Sequence, residues 1–158
     1  MKRTTLVFSV LGAATVLIGG LANAAPDASS KEIQSAESAA PPAISRNATV
    51  MGADAVGHMV VLRQGTNRWT CMPDDPATPA NDPMCVDANG LAWVQAWMAH
   101  KNPSADQVGM AYMLQGAADA SNNDAYATKP AAGQDWVRTG PHLMILNANA
   151  AGAFGDGE

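Results

Sequence analysis

The sequence has only two cysteines, few aromatic residues and few basic residues. Aromatic residues make up 5% of the 158 residues, and nine Lys and Arg stand against fourteen Asp and Glu. The basic residues form no cluster, and a chain with an acidic excess is repelled by phosphate backbones and by anionic lipid. This composition argues against nucleic acid, and against a membrane surface, as a partner of the exported chain.

The sequence also lacks the short motifs of several enzyme classes. It contains no GxSxG nucleophile elbow, no HExxH zinc motif and no phosphate-binding loop. A small hydrolase that uses His142 with an aspartate remains an alternative, because three histidines and many aspartates permit such a pair. A non-enzymatic protein is the favoured interpretation.

The longest apolar run lies at the N-terminus. Lys2 and Arg3 precede an uncharged apolar segment over residues 6–21, and the small-residue sequence Ala-Asn-Ala follows at 22–24. These are the three parts of a secretory signal peptide, so we expect residues 1–24 to be removed and the protein to be periplasmic or secreted. An uncleaved membrane anchor is the alternative, although the run is shorter than the ~20 residues of a spanning helix.

The rest of the chain predicts one small domain between two segments of low complexity. Residues 25–46 are rich in Ala, Ser and Pro and poor in large apolar side chains, which is typical of a disordered linker. A short helix over 30–39 is compatible with this sequence but is expected to have little to pack on. Residues 47–147 form the predicted domain, and residues 148–158 a flexible tail.

The domain is predicted to be of the α+β class. Alternating apolar residues indicate four strands, at 58–63, 68–72, 107–115 and 142–147, and a short strand at 48–51 before them is compatible with the sequence. The first two are predicted to form a hairpin with a turn at 64–67. Residues 88–101 have helical periodicity, with Asp87 as the N-cap and Pro103 beyond the end. We expect a mostly antiparallel sheet with one main helix packed on one face.

Cys71 and Cys85 enclose a segment rich in proline and aspartate. An even number of cysteines in an exported chain usually forms disulfides, and this pair would close a loop of fourteen residues. Such a cross-link contributes roughly 3 kcal/mol when only loop closure is considered. A thiolate metal site or a nucleophilic cysteine would need a CxxC pair or a nearby histidine, and this segment has neither. A structural disulfide is therefore predicted.

Metal binding is an alternative to a protein without a cofactor. Calcium prefers hard oxygen ligands, which are offered by Asp74, Asp75, Asp82 and Asp87. The same Asp-Pro and Asn-Asp pairs are also common turn formers. Copper in an oxidising compartment accepts imidazole and thioether ligands, which the pairs His58-Met59 and His142-x-Met144 offer on predicted strands. Methionines in apolar runs also fill cores, so the sequence favours a protein without metal.

Residues 116–135 form a long stretch without apolar periodicity, either a functional loop or a solvated one. Its Asn122, Asp124 and Tyr126, together with Trp136 and His142, would form a shallow polar pocket with stacking rings. Such a pocket suits a sugar or another small polar ligand. In the alternative, the loop is solvated and the tryptophans lie in the core.

The region that runs from WTCMPDD through DPMCVDANGLAWVQAWMAHK to YATKP and GPHLMI resembles an uncharacterised family of short exported bacterial proteins. The resemblance covers about two thirds of the chain that follows the signal peptide. It implies a folded, secreted domain and brings no activity or catalytic residue with it. The sequence thus predicts a disulfide-stapled binding or accessory protein whose partner is another protein or a small polar ligand.

Overall fold

A computed structural model of the protein describes residues 28–104 and 106–147. The predicted signal peptide at 1–24, the first three residues of the predicted linker and the predicted tail at 148–158 lie outside the described residues. In chain order the described elements are α1 (Ala28–Glu37), α2 (Pro42–Ser45), β1 (Thr49–Ala53), β2 (Met59–Arg63), β3 (Thr70–Met72), β4 (Met84–Val86), α3 (Ala88–Met98), β5 (Gly109–Met113), β6 (Ala117–Asp119), β7 (Val137–Thr139) and β8 (His142–Leu146).

Six of the strands form one sheet in the order β2-β1-β3-β4-β5-β8. Neighbouring strands in this sheet are antiparallel except β1 and β3, which are parallel. Strands β6 and β7 form a separate antiparallel ribbon that follows β5 and precedes β8 along the chain. The chain turns from β5 into β6 at Gly116, whose φ of 95° suits glycine because it has no side chain. The predicted α+β class with a mostly antiparallel sheet is confirmed.

Strand β1 lies between β2 and β3, so the predicted hairpin of 58–63 with 68–72 is wrong. The observed hairpin joins β1 to β2, and the Asp54 carboxylate shapes its turn by accepting backbone N–H bonds from Val56 (2.9 Å) and His58 (2.8 Å). Residues 64–67 instead lead from β2 across to β3. Local pattern could not show this order, because β1 ends in Gly-Ala, which has little strand preference.

Helix α3 covers one face of the sheet, as predicted. Its N-cap is Asp87, whose Oδ1 accepts hydrogen bonds from the backbone N–H groups of Gly90 (2.7 Å) and Met110 (3.1 Å). The cap therefore ties the start of the helix to β5. Val94 packs there against a buried cluster that contains Val86 and Ala111. No described helix has both the length and the apolar character needed to cross a bilayer.

Helices α1 and α2 cover the opposite face, and this corrects the linker prediction for residues 28–46. Ala36 and Ala39 are fully buried in the same cluster as Cys71 and Cys85. The segment has few large apolar side chains, and this composition predicts disorder. Its small side chains instead allow α1 to lie close to the sheet, so that alanines provide the packing surface.

A register shift in the β1–β2 hairpin connects the sheet to α1. The pairing slips by one residue between Val50 and Met51, which places Arg63 on the face that α1 covers. The Arg63 guanidinium contacts the Glu37 carboxylate and donates to the carbonyl oxygen of Ser45 (2.9 Å). Because of this bulge, one residue of β2 contacts both N-terminal helices and holds them against the sheet.

The predicted disulfide joins Cys71 to Cys85. The two residues are direct register partners in β3 and β4, and both are fully buried. The disulfide therefore links the two central strands of the sheet and closes the proline-rich loop at its base. Pro83, next to β4, is also fully buried, so the loop enters the core at that end.

Candidate functional site

A cleft of about 450 Å³ lies beside the β6–β7 ribbon and the loop that joins these two strands. Ala120 and Val137 supply part of its apolar lining. Its larger polar groups are amides, carboxylates and one ammonium, from Asn122, Asn123, Asp124, Lys129, Gln134 and Asp135. The volume is at the lower end of the range for small-molecule sites, and the lining offers hydrogen-bond donors and acceptors.

The first half of this loop is ordered by its own side chains. The hydroxyl oxygen of Ser121 accepts hydrogen bonds from the backbone N–H groups of Asn123 and Asp124, each at 3.1 Å. Asp124 Oδ1 in turn accepts from the backbone N–H of Tyr126 (2.9 Å). Because these turns fix the backbone, the polar groups at 122–124 are held at the cleft before any ligand arrives.

The loop is anchored to the end of α3 by three rings. Tyr126 stacks on His100, with ring centroids 4.1 Å apart, and on Trp97 at 6.2 Å. The indole N–H of Trp97 also donates to the carbonyl oxygen of Ala125 (3.1 Å). His100 has a φ of 53°, a left-handed conformation that ends the helix. This conformation allows the backbone N–H of Lys101 to donate to the carbonyl oxygen of Ala96, which closes the last turn.

Two of the five predicted pocket residues, Asn122 and Asp124, line the cleft. Tyr126 lies beside it and belongs to the ring stack on α3. Trp136 precedes β7, is half-buried and does not line the cleft. His142 lies in β8, where its Nδ1 is 2.7 Å from the carbonyl oxygen of Gly140. Within the described part of the chain no carboxylate pairs with this ring, so the hydrolase arrangement lacks its second group.

The predicted calcium ligands are engaged in holding the loop that the disulfide closes. Asp74 Oδ1 accepts the backbone N–H of Asp82 (2.8 Å), and Asp82 Oδ1 accepts that of Asp75 (3.3 Å). Burial raises the pKa of Asp82, the hydrogen bond from Thr78 opposes this, and the neighbouring Asp74 raises the pKa further. Asp87 is occupied in capping α3. The aspartates here act as turn and cap residues.

The two predicted copper pairs, His58 with Met59 and His142 with Met144, lie at opposite edges of the sheet. His58 directly precedes β2, is mostly exposed, and has its Nδ1 3.4 Å from Asp54 Oδ2. Met144 lies in β8, which is five strand spacings from β2 in the sheet. At about 4.8 Å for each spacing, the two strands are roughly 24 Å apart. One ion therefore cannot bind both pairs. In residues 28–104 and 106–147, no group of three His, Cys, Asp or Glu side chains is placed to hold a metal ion.

Sequence reasoning missed several residues of this region. The periodicity of residues 88–101 predicts a helix and gives Trp97 and His100 no other role, although a histidine three positions after a tryptophan at a helix end places two rings side by side. Lys129, Gln134 and Asp135 lie in a stretch without periodicity, so no local signal distinguished them from solvated loop residues.

Comparison with protein-family models, with curated proteins and with solved structures finds no match to this chain. The resemblance to short exported bacterial proteins therefore stays a prediction.

Proposed function

We propose that this protein is an exported, non-enzymatic binding protein that holds a small polar molecule in the β6–β7 cleft. The observation that carries the proposal is the convergence of two carboxylates, three amides and one ammonium on one cleft of about 450 Å³. This cleft lies on a loop that the α3 rings fix in place. Fixed polar groups cost less ordering entropy on binding than flexible ones do.

The lining favours a ligand with several hydroxyl groups, such as a sugar. Carboxylates accept hydrogen bonds from hydroxyl groups, and the amides of Asn122 and Gln134 both donate and accept. The ammonium of Lys129 adds a hydrogen-bond donor to the same lining. A strongly anionic ligand would meet Asp124 and Asp135 and is disfavoured.

Export is supported by the N-terminal sequence and by a disulfide that suits an oxidising compartment. The test is an intact mass of the protein recovered from its export route. We expect a chain that begins at Ala25 and is two hydrogens lighter than the reduced form. A full-length mass, or two free thiols, would contradict this part of the proposal.

Ligand binding is tested by titrating the exported protein with a panel of neutral sugars, sugar acids and amino acids. Amide chemical shifts of the protein report the binding. We expect neutral sugars to shift residues of the 120–137 loop. Asp135→Asn and Lys129→Met should each weaken binding at least tenfold. This loss corresponds roughly to the free energy that one hydrogen bond to a charged group contributes. Asp106→Asn and Lys101→Met, at exposed positions that do not line the cleft, are the matched controls.

The proposal fails if no compound shifts the loop at millimolar concentration, or if the loop variants bind as well as the wild type. A response of the controls equal to that of the loop variants would also contradict it.

A further inference from the structure

A second groove, of about 340 Å³, lies between α3 and the β1–β3 side of the sheet. Half of its eight lining residues are methionines: Met51, Met59, Met72 and Met98. We call it the methionine groove. It lies on the α3 face, and its lining residues are separate from those of the polar cleft.

The strand register explains why these thioethers converge. Val50 and Cys71 are register partners in the parallel pair β1–β3, and both are buried in the cluster under α1. The next residue in each strand, Met51 and Met72, therefore points to the opposite face, beside α3. Met59 pairs with Ala53 across the β1–β2 hairpin, one position along the same face from Met51.

The row continues into β4, because Met72 pairs directly with Met84. Met98, in the last turn of α3, reaches the groove from above the sheet. Four neighbouring strands and one helix therefore bring sulfur atoms to a single face of the protein.

Sulfur chemistry limits what such a groove can hold. Cys71 and Cys85 are the chain's two cysteines, and both are consumed by the disulfide. Thioethers are then the available soft ligands, and soft ligands select Cu(I) and similar monovalent ions. Methionine side chains have three rotatable bonds, so their sulfur atoms can move to meet an ion.

The groove is also accessible and free of repelling charge. Met59 and Met98 are 38% and 56% exposed, so an ion can reach the sulfur atoms from solvent. The residues that line the groove include no lysine or arginine, and Gln95 supplies an amide. The chain carries a formal charge of −5, which favours the approach of a cation.

We infer that the methionine groove binds a soft monovalent cation, Cu(I) or Ag(I), through the thioethers of Met51, Met59 and Met72, with Met98 closing the site. Hard divalent ions are excluded, because calcium and magnesium require several oxygen ligands that this lining does not supply. The site does not depend on the polar cleft, and either can fail without the other.

The first test is a titration of the exported protein with silver nitrate in chloride-free buffer. Binding is followed by the methyl resonances of ¹³C-labelled methionines and by native mass spectrometry. We expect one tightly bound silver ion per chain, with shifts at Met51, Met59 and Met72. Met110 and Met113, which do not line the groove, should not shift.

The variant is Met51→Leu/Met59→Leu/Met72→Leu, which keeps side-chain volume while it removes sulfur. Changes outside the first ligand shell already cost 10–100-fold in metal affinity, so loss of three ligands should cost at least about 100-fold. Met110→Leu/Met113→Leu/Met144→Leu removes the same number of sulfur atoms elsewhere and should bind as the wild type does. Competition with a chromophoric Cu(I) chelator, without oxygen, should rank the proteins in the same order.

Equal silver binding by the triple variant and the wild type would overturn the inference, as would methyl shifts confined to Met110, Met113 and Met144, which do not line the groove. If the triple variant does not fold, Met59→Leu and Met98→Leu test the same point at exposed positions. Unchanged affinity in both single variants would then overturn it.

Discussion

Cys71 and Cys85 face each other across β3 and β4, beneath a helix that the sequence did not predict to be packed there. The carbonyl oxygen of Ala36 in α1 lies 3.7 Å from Sγ of Cys85, and both cysteines are fully buried. A reductant can therefore reach the disulfide only after α1 has moved away or the domain has unfolded.

The first prediction concerns this protection. Ile33→Ala removes a half-buried contact of α1 and should weaken its packing by about 2 kcal/mol, the lower end for truncating an aliphatic core residue. The rate of disulfide reduction, measured by thiol labelling, should rise roughly 30-fold. Lys31→Ala, exposed on the same helix, should reduce at the wild-type rate. Equal rates in all three proteins would mean that α1 does not shield the bond.

The second prediction separates the two roles of His100. Its left-handed backbone ends α3, and its ring stacks on Tyr126. His100→Gly keeps the backbone geometry and loses the ring, whereas His100→Ala loses the ring and keeps the strain. The glycine variant should therefore be more stable than the alanine variant by about 1 kcal/mol in denaturant unfolding.

Both His100 variants should also increase hydrogen exchange at residues 121–127, because each removes the ring contact with Tyr126, one of the contacts that anchor the loop. If exchange there stays at the wild-type level, the stack does not hold the loop.

The third prediction is a pH dependence at Asp82. Burial raises the pKa of this carboxyl in the folded protein, so the fold binds the proton more tightly than the unfolded chain does. The stability that Asp82 contributes is therefore complete below its usual pKa of 3.8 and is lost as the pH rises through the raised value.

Asp82→Asn removes this titration. The amide oxygen of the new asparagine can still accept the hydrogen bond from the backbone N–H of Asp75. The difference in Tm between variant and wild type should favour the variant more at pH 7 than at pH 4. Asp106→Asn, outside the loop, controls for the change in net charge. A difference in Tm that is constant with pH, or that has the opposite slope, would contradict the assigned cause.

The fourth prediction tests the contact of α3 with β5. A Cβ added to Gly109 would lie 2.4 Å from the backbone nitrogen of Gly90, where no flexible side chain can give way. Gly109→Ala should destabilise the domain by about 3 kcal/mol, the upper end of ordinary overpacking. A Cβ at Gly140 would meet nothing within 4 Å, so Gly140→Ala should be close to neutral. Similar unfolding free energies for the two variants would disprove the close approach.

Several elements could be predicted because their signals are local. Helix α3 has its cap at Asp87 and a proline beyond its end, and β5 and β8 show alternation over five or more residues. The disulfide followed from counting cysteines in a chain predicted to be exported. These features depend on residues that lie close together in the sequence, or on a count.

The missed features depend on partners that are distant in the sequence. Nothing in the sequence near β1 indicates that it pairs in parallel with β3, and this pairing also aligns Met51 with Met72. The packing of helix α1 on the sheet was missed because its contact surface is alanine, and alanine indicates burial only when a close surface is known. The cleft was predicted in part, at Asn122 and Asp124, because these turn residues are recognisable in the sequence. The rest of its lining could not be predicted, because it depends on how the loop folds back.

The contact between Gly90 and Gly109 has a further consequence for identifying relatives of this chain. Neither position tolerates a side chain, since a Cβ on Gly90 would in turn lie 2.9 Å from the carbonyl oxygen of Met110. Asp87, three residues before Gly90, caps the helix at the same point. An aspartate, a glycine three residues later and a second glycine nineteen residues after that form a fingerprint that should persist where overall identity has faded.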